Sequence, residues 1–178
     1  MKKIALLTAA VLIMTALLSC SAANDDEIPY GMQLIDDEVV DYKLYVPEDW
    51  TPSISTGAVG AYYSSEDPTS VTVMMWNDDL NATLDEWWEG YQEEFEAVYE
   101  DFTVISTDSA TLGGVSATRY EYTGTFAGTE LHYIQYVCMR YSLSVSAVYI
   151  LTFTSTEANY ESHLEELSDI VDNFTFIG

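Results

Sequence analysis

The chain has 178 residues, 30 of them acidic and 5 basic, for a formal net charge of −25. A surface so negative repels phosphate backbones and anionic headgroups, which are held by Lys and Arg that release counterions, so nucleic acid is excluded as a partner. With 48% hydrophobic and 13% aromatic residues the composition is far from that of a disordered chain. A domain of about 150 residues buries about 70% of its unfolded surface, enough for one core.

Lys2 and Lys3 precede an apolar run from Ile4 to Leu18 that only Thr8 and Thr15 interrupt. At about fifteen residues the run is shorter than the roughly 20 of a membrane-spanning helix, so residues 1–19 read as a signal peptide. No twin arginine is present. The run ends in Leu17-Leu18-Ser19-Cys20, which resembles the bacterial lipobox, making Cys20 the lipidation site and the first mature residue. Removal of Lys2 and Lys3 leaves Lys43, Arg119 and Arg140 against 30 acids, a net charge of −27. With Cys20 lipidated, Cys138 is the one thiol left, and no intrachain disulfide forms even in an oxidising compartment. Acyl chains at ~0.8 kcal/mol per buried methylene hold the protein to a membrane outside the cytoplasm. Residues 20–31, the lipidated cysteine and SAANDDEIPYG, read as an acidic, flexible tether.

One domain is expected over residues 32–178, without internal repeats. Short strands are expected at Met32–Ile35 and Val39–Val46, a turn at Pro47–Trp50, then strands at Ala58–Tyr63 and Val71–Trp76. Thr83-Leu84-Asp85-Glu86 has capping-box spacing and opens a helix. Leu84, Trp87, Trp88, Tyr91, Phe95, Val98, Tyr99 and Phe102 form its apolar stripe, with Glu89, Glu93, Glu96 and Glu100 opposite. Strands follow at Phe102–Ser106, Val115–Tyr122, Glu130–Arg140 and Ser146–Thr154, with turns at Gly113-Gly114 and Gly124–Gly128. The last two carry apolar residues on both alternating faces, so the sheet is expected to be covered on both sides. A second helix is expected from about Glu157 to Asp172, with His163, Leu167 and Ile170 on its inner face. Short turns between consecutive strands favour antiparallel pairing, giving an α+β fold in which two main helices flank an antiparallel sheet as an α/β/α layered sandwich.

The order of these segments resembles the PsbP-like and DcrB-like bacterial lipoproteins. The resemblance is carried by the lipobox leader, Tyr45-Val46-Pro47-Glu48-Asp49-Trp50, Thr83-Leu84-Asp85-Glu86-Trp87-Trp88 and Leu112-Gly113-Gly114-Val115-Ser116-Ala117. Tyr149-Ile150-Leu151-Thr152-Phe153 and Ile170-Val171-Asp172-Asn173-Phe174-Thr175-Phe176 complete it. It implies an antiparallel sheet with flanking helices and a non-catalytic accessory or binding role, and it brings no catalytic residues and no cofactor.

Catalytic chemistry finds little support. The string Gly113-Gly114-Val115-Ser116-Ala117 lacks the closing glycine of a nucleophile elbow. The bases on offer, His132 and His163, fall on a predicted central strand and at the edge of the second helix's apolar stripe, where a packed imidazole is expected. Two histidines and one thiol on three separate elements show no zinc-ligand spacing, and Cys138 reads as a small buried hydrophobe. Asp79, Asn81 and Asp85 alternate as calcium ligands do in an EF-hand loop, but Leu84 stands at the glycine position and Gly90 at the glutamate position. They remain a weak metal candidate beside diffuse divalent-cation binding. Arg119 and Arg140 are expected to pair with carboxylates. The reading is a membrane-anchored extracytoplasmic lipoprotein serving an envelope protein partner. Its alternatives are a small hydrolase acting on envelope polymers and a cation or small-ligand carrier.

Overall fold

The computed structural model describes residues 27–35, 40–78, 83–141 and 146–177. The leader and Cys20, and the loop positions Asp79 and Asn81, lie outside the described residues.

The small sheet has the order β1-β2-β10, with β1 at Met32–Ile35, β2 at Tyr42–Pro47 and β10 at Thr175–Phe176. The large sheet has the order β3-β4-β5-β9-β8-β7-β6. Its strands are β3 (Thr51–Ser55), β4 (Ala58–Tyr62), β5 (Ser70–Asp78), β6 (Glu100–Leu112), β7 (Val115–Phe126), β8 (Thr129–Tyr141) and β9 (Ser146–Thr156). Helix α1 spans Leu84–Val98, and α2 spans Leu164–Asn173 after a 3-10 turn at Tyr160–His163. Every strand pairing is antiparallel, and the class is α+β.

The two apolar faces of β8 and β9 each have their own core. Ile134, Cys138, Tyr149, Leu151 and Phe153 join a cluster with Leu44, Trp50, Leu167 and Ile170, so that face is covered by β2 and α2 together. Tyr133, Val137, Val148 and Ile150 join Tyr120, Tyr122 and Trp88 on the other face, under α1. Alternation of side chains along a strand makes these opposite faces.

Helix α1 solves a routing problem. β5 lies in mid-sheet while β6 is the far edge, so the chain must cross one sheet face, and a segment doing so buries one stripe. The helix begins where the capping box predicts: Thr83 Oγ1 accepts from the Glu86 amide and Glu86 Oε2 accepts from the Thr83 amide. It stops at Val98, with Tyr99 as an extended C-cap. Phe102, read both as the end of the helical stripe and as the first residue of the next strand, is in β6, and it packs on the same cluster.

Other boundaries also move. β3 was not expected: it is polar, carries Pro52 and is exposed throughout, as an edge strand with one free side tolerates. β6 continues six residues past Ser106 for the same reason, an exposed edge that needs no apolar signal. Gly124 is not in a turn but in β7, where a Cβ would lie 2.9 Å from Tyr99 Cβ. The hairpin there turns on Ala127-Gly128. The hairpin at Gly113-Gly114 stands as read, with both glycines at positive φ. The second helix starts later than expected, since residues 157–159 form a turn and Tyr160–His163 a 3-10 segment before α2 opens at Leu164. At the other end, the Glu48 amide donates to Gly31 O at 3.0 Å and the Met32 amide to Pro29 O at 3.1 Å.

Candidate functional site

The buried polar residues Thr69, His132, Ser155 and His163 gather at one end of the sheet. In β7, Arg119 and Glu121 are two residues apart and share a face, and the β8 residue His132 is on that face too. Glu121 Oε2 accepts from Arg119 at 2.8 Å, while Glu121 Oε1 faces His132 Nε2 at 2.9 Å and accepts from the Tyr160 hydroxyl at 2.8 Å. His132 Nδ1 is 2.8 Å from Glu157 Oε2. Burial would raise the Glu121 carboxyl, but the bonds from Tyr160, Arg119 and His132 outweigh it and hold it below the ordinary range.

The second cluster joins α2 to the loop before β5. His163 Nε2 is 2.9 Å from Asp67 Oδ2, and Nδ1 bonds to Glu166 one helical turn on. The Thr69 amide and hydroxyl both donate to Asp67 Oδ1, at 3.0 and 2.7 Å, and the Trp50 indole donates to Glu166 Oε1 at 3.4 Å. Burial alone would push His163 toward the neutral form, yet Glu166 and Asp67 prevail and raise its pKa. Asp67 is likewise opposed by burial and lowered to about 2 by Thr69 and His163.

Chemically this arrangement is closed. Each imidazole is at most 5% exposed and has both ring nitrogens on carboxylates, so neither nitrogen is left to take a substrate proton. Among the described residues no serine or threonine hydroxyl bonds to either ring. Cys138 is fully buried in β8, and burial pushes its thiol up to about 12 despite Arg140 nearby. Arg119 pairs with Glu121 and, at 3.7 Å, with Asp108. Arg140 pairs with Asp41 at 2.9 Å and covers the Phe176 ring at 4.3 Å. Asp85, the one described member of the weak metal candidate, is exposed in the first turn of α1. Among the described residues no group of three His, Cys, Asp or Glu side chains could hold a metal ion. A cleft at the start of the domain is lined by Ile28, Pro29, Tyr30, Gly31, Met32 and Glu48, and it gathers one carboxylate.

Sequence reading placed both histidines on packed faces but missed their partners Asp67, Glu121, Glu157, Tyr160 and Glu166. His163-x-x-Glu166 is a helical i, i+3 pair and was legible; the other contacts join residues far apart in the chain.

No family model matches the sequence, and no curated protein matches it. Solved structures do. LpqN of Mycobacterium tuberculosis, described as involved in cell envelope biogenesis, superposes with a TM-score of 0.62 at 16% identity, over 77% of this chain and 83% of that one. Cyanobacterial PsbP of Synechocystis gives 0.60 at 13% identity, over 90% and 98%. The Ran-binding protein Mog1p of Saccharomyces cerevisiae gives 0.56 at 9% identity, over 82% and 95%. The fold is therefore PsbP-like, as the motifs at Tyr45–Trp50 and Leu112–Ala117 imply. Among the described residues no helix is long and apolar enough to cross a membrane.

Proposed function

We propose that this chain is an extracytoplasmic lipoprotein, anchored through Cys20, whose PsbP-like domain is a non-catalytic binding or accessory module for an envelope protein. The observation that carries the non-catalytic part is the double engagement of His132 and His163, which removes both candidate bases. The envelope assignment is supported by the leader ending in Leu17-Leu18-Ser19-Cys20 and by the fold shared with LpqN. In this reading residues 1–19 are the signal peptide, 20–31 the tether and 32–178 the domain. The domain is layered as α1, the large sheet, then α2 with the small sheet. The surface charge attracts divalent cations diffusely rather than at one site.

The anchor is tested by membrane fractionation of cells carrying Cys20→Ala. Wild-type protein is expected in the membrane fraction with a lipid-modified N-terminal peptide by mass spectrometry. Cys20→Ala should be released, or retained unprocessed. A variant that stays on the membrane, with its signal cleaved elsewhere, would overturn the assignment.

A further inference from the structure

Periodicity assigns Trp87 and Tyr91 to the core, but the structure leaves both half-buried, together with Trp76 of β5. The three rings touch one another. Trp87 and Tyr91 stack at 4.7 Å and 23°, and Trp76 lies 6.0 Å from Trp87 and 5.5 Å from Tyr91. Neither indole N–H nor the Tyr91 hydroxyl is a buried orphan: each ring is half-buried, its apolar body packed and its polar edge at the surface.

These rings form one half-buried aromatic patch. Trp87, Tyr91, Glu94 and Val98 fall at i, i+4, i+7 and i+11 on α1, inside an arc of roughly 60° at 100° per residue. Glu94 and Val98 are exposed on that flank, and Trp76 of β5 packs against its two rings. On the same sheet face as Trp76 runs a polar row, Gly60 opposite Thr72, Thr72 opposite Thr152 and Thr152 opposite Gln135. Thr72 and Thr152 are half-buried. Gln135 is buried, its Nε2 donating to Thr152 at 3.1 Å and its Oε1 left without a partner.

The chemistry of this patch selects its occupant. Ring faces attract Lys and Arg cations, and the exposed Glu94 carboxylate stands on the same flank. Glu86, Glu89 and Glu93 add exposed charge on the same helix, in a chain with 30 acids against 5 basic residues. We propose that the aromatic patch shared by α1 and β5 is the docking surface for an extended Lys- or Arg-bearing segment of the protein partner, with Trp76, Trp87 and Tyr91 as its aromatic anchors. This rests on the accessory-module reading and names the chemistry of its partner.

The test titrates the peptide Arg-Gly-Arg-Gly-Arg-Gly-Arg into the full-length protein in nonionic detergent, followed by tryptophan fluorescence. Saturable binding at one peptide per chain is expected. It should weaken about tenfold with Trp87→Ala, as loss of an aromatic hot spot does. Glu94→Gln, an exposed change that leaves the core untouched, should weaken it several-fold, as loss of a charge partner does. Glu165→Gln, an exposed change on α2, should leave it unaltered. Equal effects of Glu94→Gln and Glu165→Gln would show diffuse attraction to the net charge and overturn the site. So would a chitotetraose oligosaccharide that quenches the tryptophans where the peptide does not. A partner crosslinked in cells through another face, with no peptide binding here, would sink this surface and leave the accessory reading standing.

Discussion

Tyr160 lies flat on His132, the ring centroids 3.5 Å apart and the planes 6° from parallel, and both residues bond the same oxygen of Glu121. The contact fastens the turn before α2 onto β8, so the C-terminal segment is held by a stack and a shared acceptor together. Tyr160→Phe keeps the stack and loses the hydroxyl bond to a carboxylate, for about 1.5–3 kcal/mol. Tyr160→Ala loses both and leaves a cavity, for about 3–5 kcal/mol. Urea unfolding of the two variants separates these contributions; equal losses would mean that the ring adds nothing.

The His163 cluster gives stability a dependence on pH with two opposite limbs. The His163 pKa is raised in the folded state, so its contribution is complete below the unfolded value of about 6.5 and is lost as pH rises through the folded value. Asp67 is lowered from 3.8 to about 2, so its contribution is present above the unfolded value and is lost as pH falls toward 2. Melting temperature followed from pH 5 to 9 should therefore fall on the alkaline side. His163→Gln should flatten that fall while lowering stability by about 3 kcal/mol, the lower end for breaking a buried pair. Parallel curves for the two proteins would contradict the assignment.

Cys138 is fully buried, and its thiol is pushed up to about 12. A thiol reagent at neutral pH should modify the native protein only at the rate of unfolding, and modify the denatured protein at once. Rapid native labelling would place this part of β8 at an open edge.

The hairpin between β7 and β8 turns on Ala127 and Gly128, with φ of 51° and 82°. Two positive φ values define the turn that Asn-Gly favours, and alanine there carries the left-handed penalty of about 1 kcal/mol. Ala127→Asn should raise stability by about that amount in thermal melts. A destabilised variant would show that the Ala127 methyl group makes a contact worth more than the strain.

Where the chain buries a regular stripe, the fold was legible. Thr83 and Glu86 announced the start of α1, and the two-sided apolar pattern of β8 and β9 announced cover on both faces. The elements that escaped lie at sheet edges, where Thr51–Ser55 and the end of β6 carry hydroxyls and acids because one side faces water. Gly124 misled for a different reason: a glycine required for the approach of Tyr99 has the same letter as one required for a turn. The histidine clusters were half legible. A buried imidazole is readable from its place on an apolar face, but Asp67 and Glu157 are acids among many until the fold brings them within 3 Å.

The central claim, that the domain works by holding an envelope protein rather than by chemistry, is tested most directly by photocrosslinking in intact cells. A benzophenone side chain is placed in turn at Tyr91, at Ile54 on the edge strand β3 and at Phe126 on the β7–β8 hairpin. A discrete adduct of one partner is expected, formed from Tyr91 and abolished when Cys20→Ala removes the anchor. Absence of any adduct from all three positions, in cells where the wild-type chain sits on the membrane, would contradict the claim.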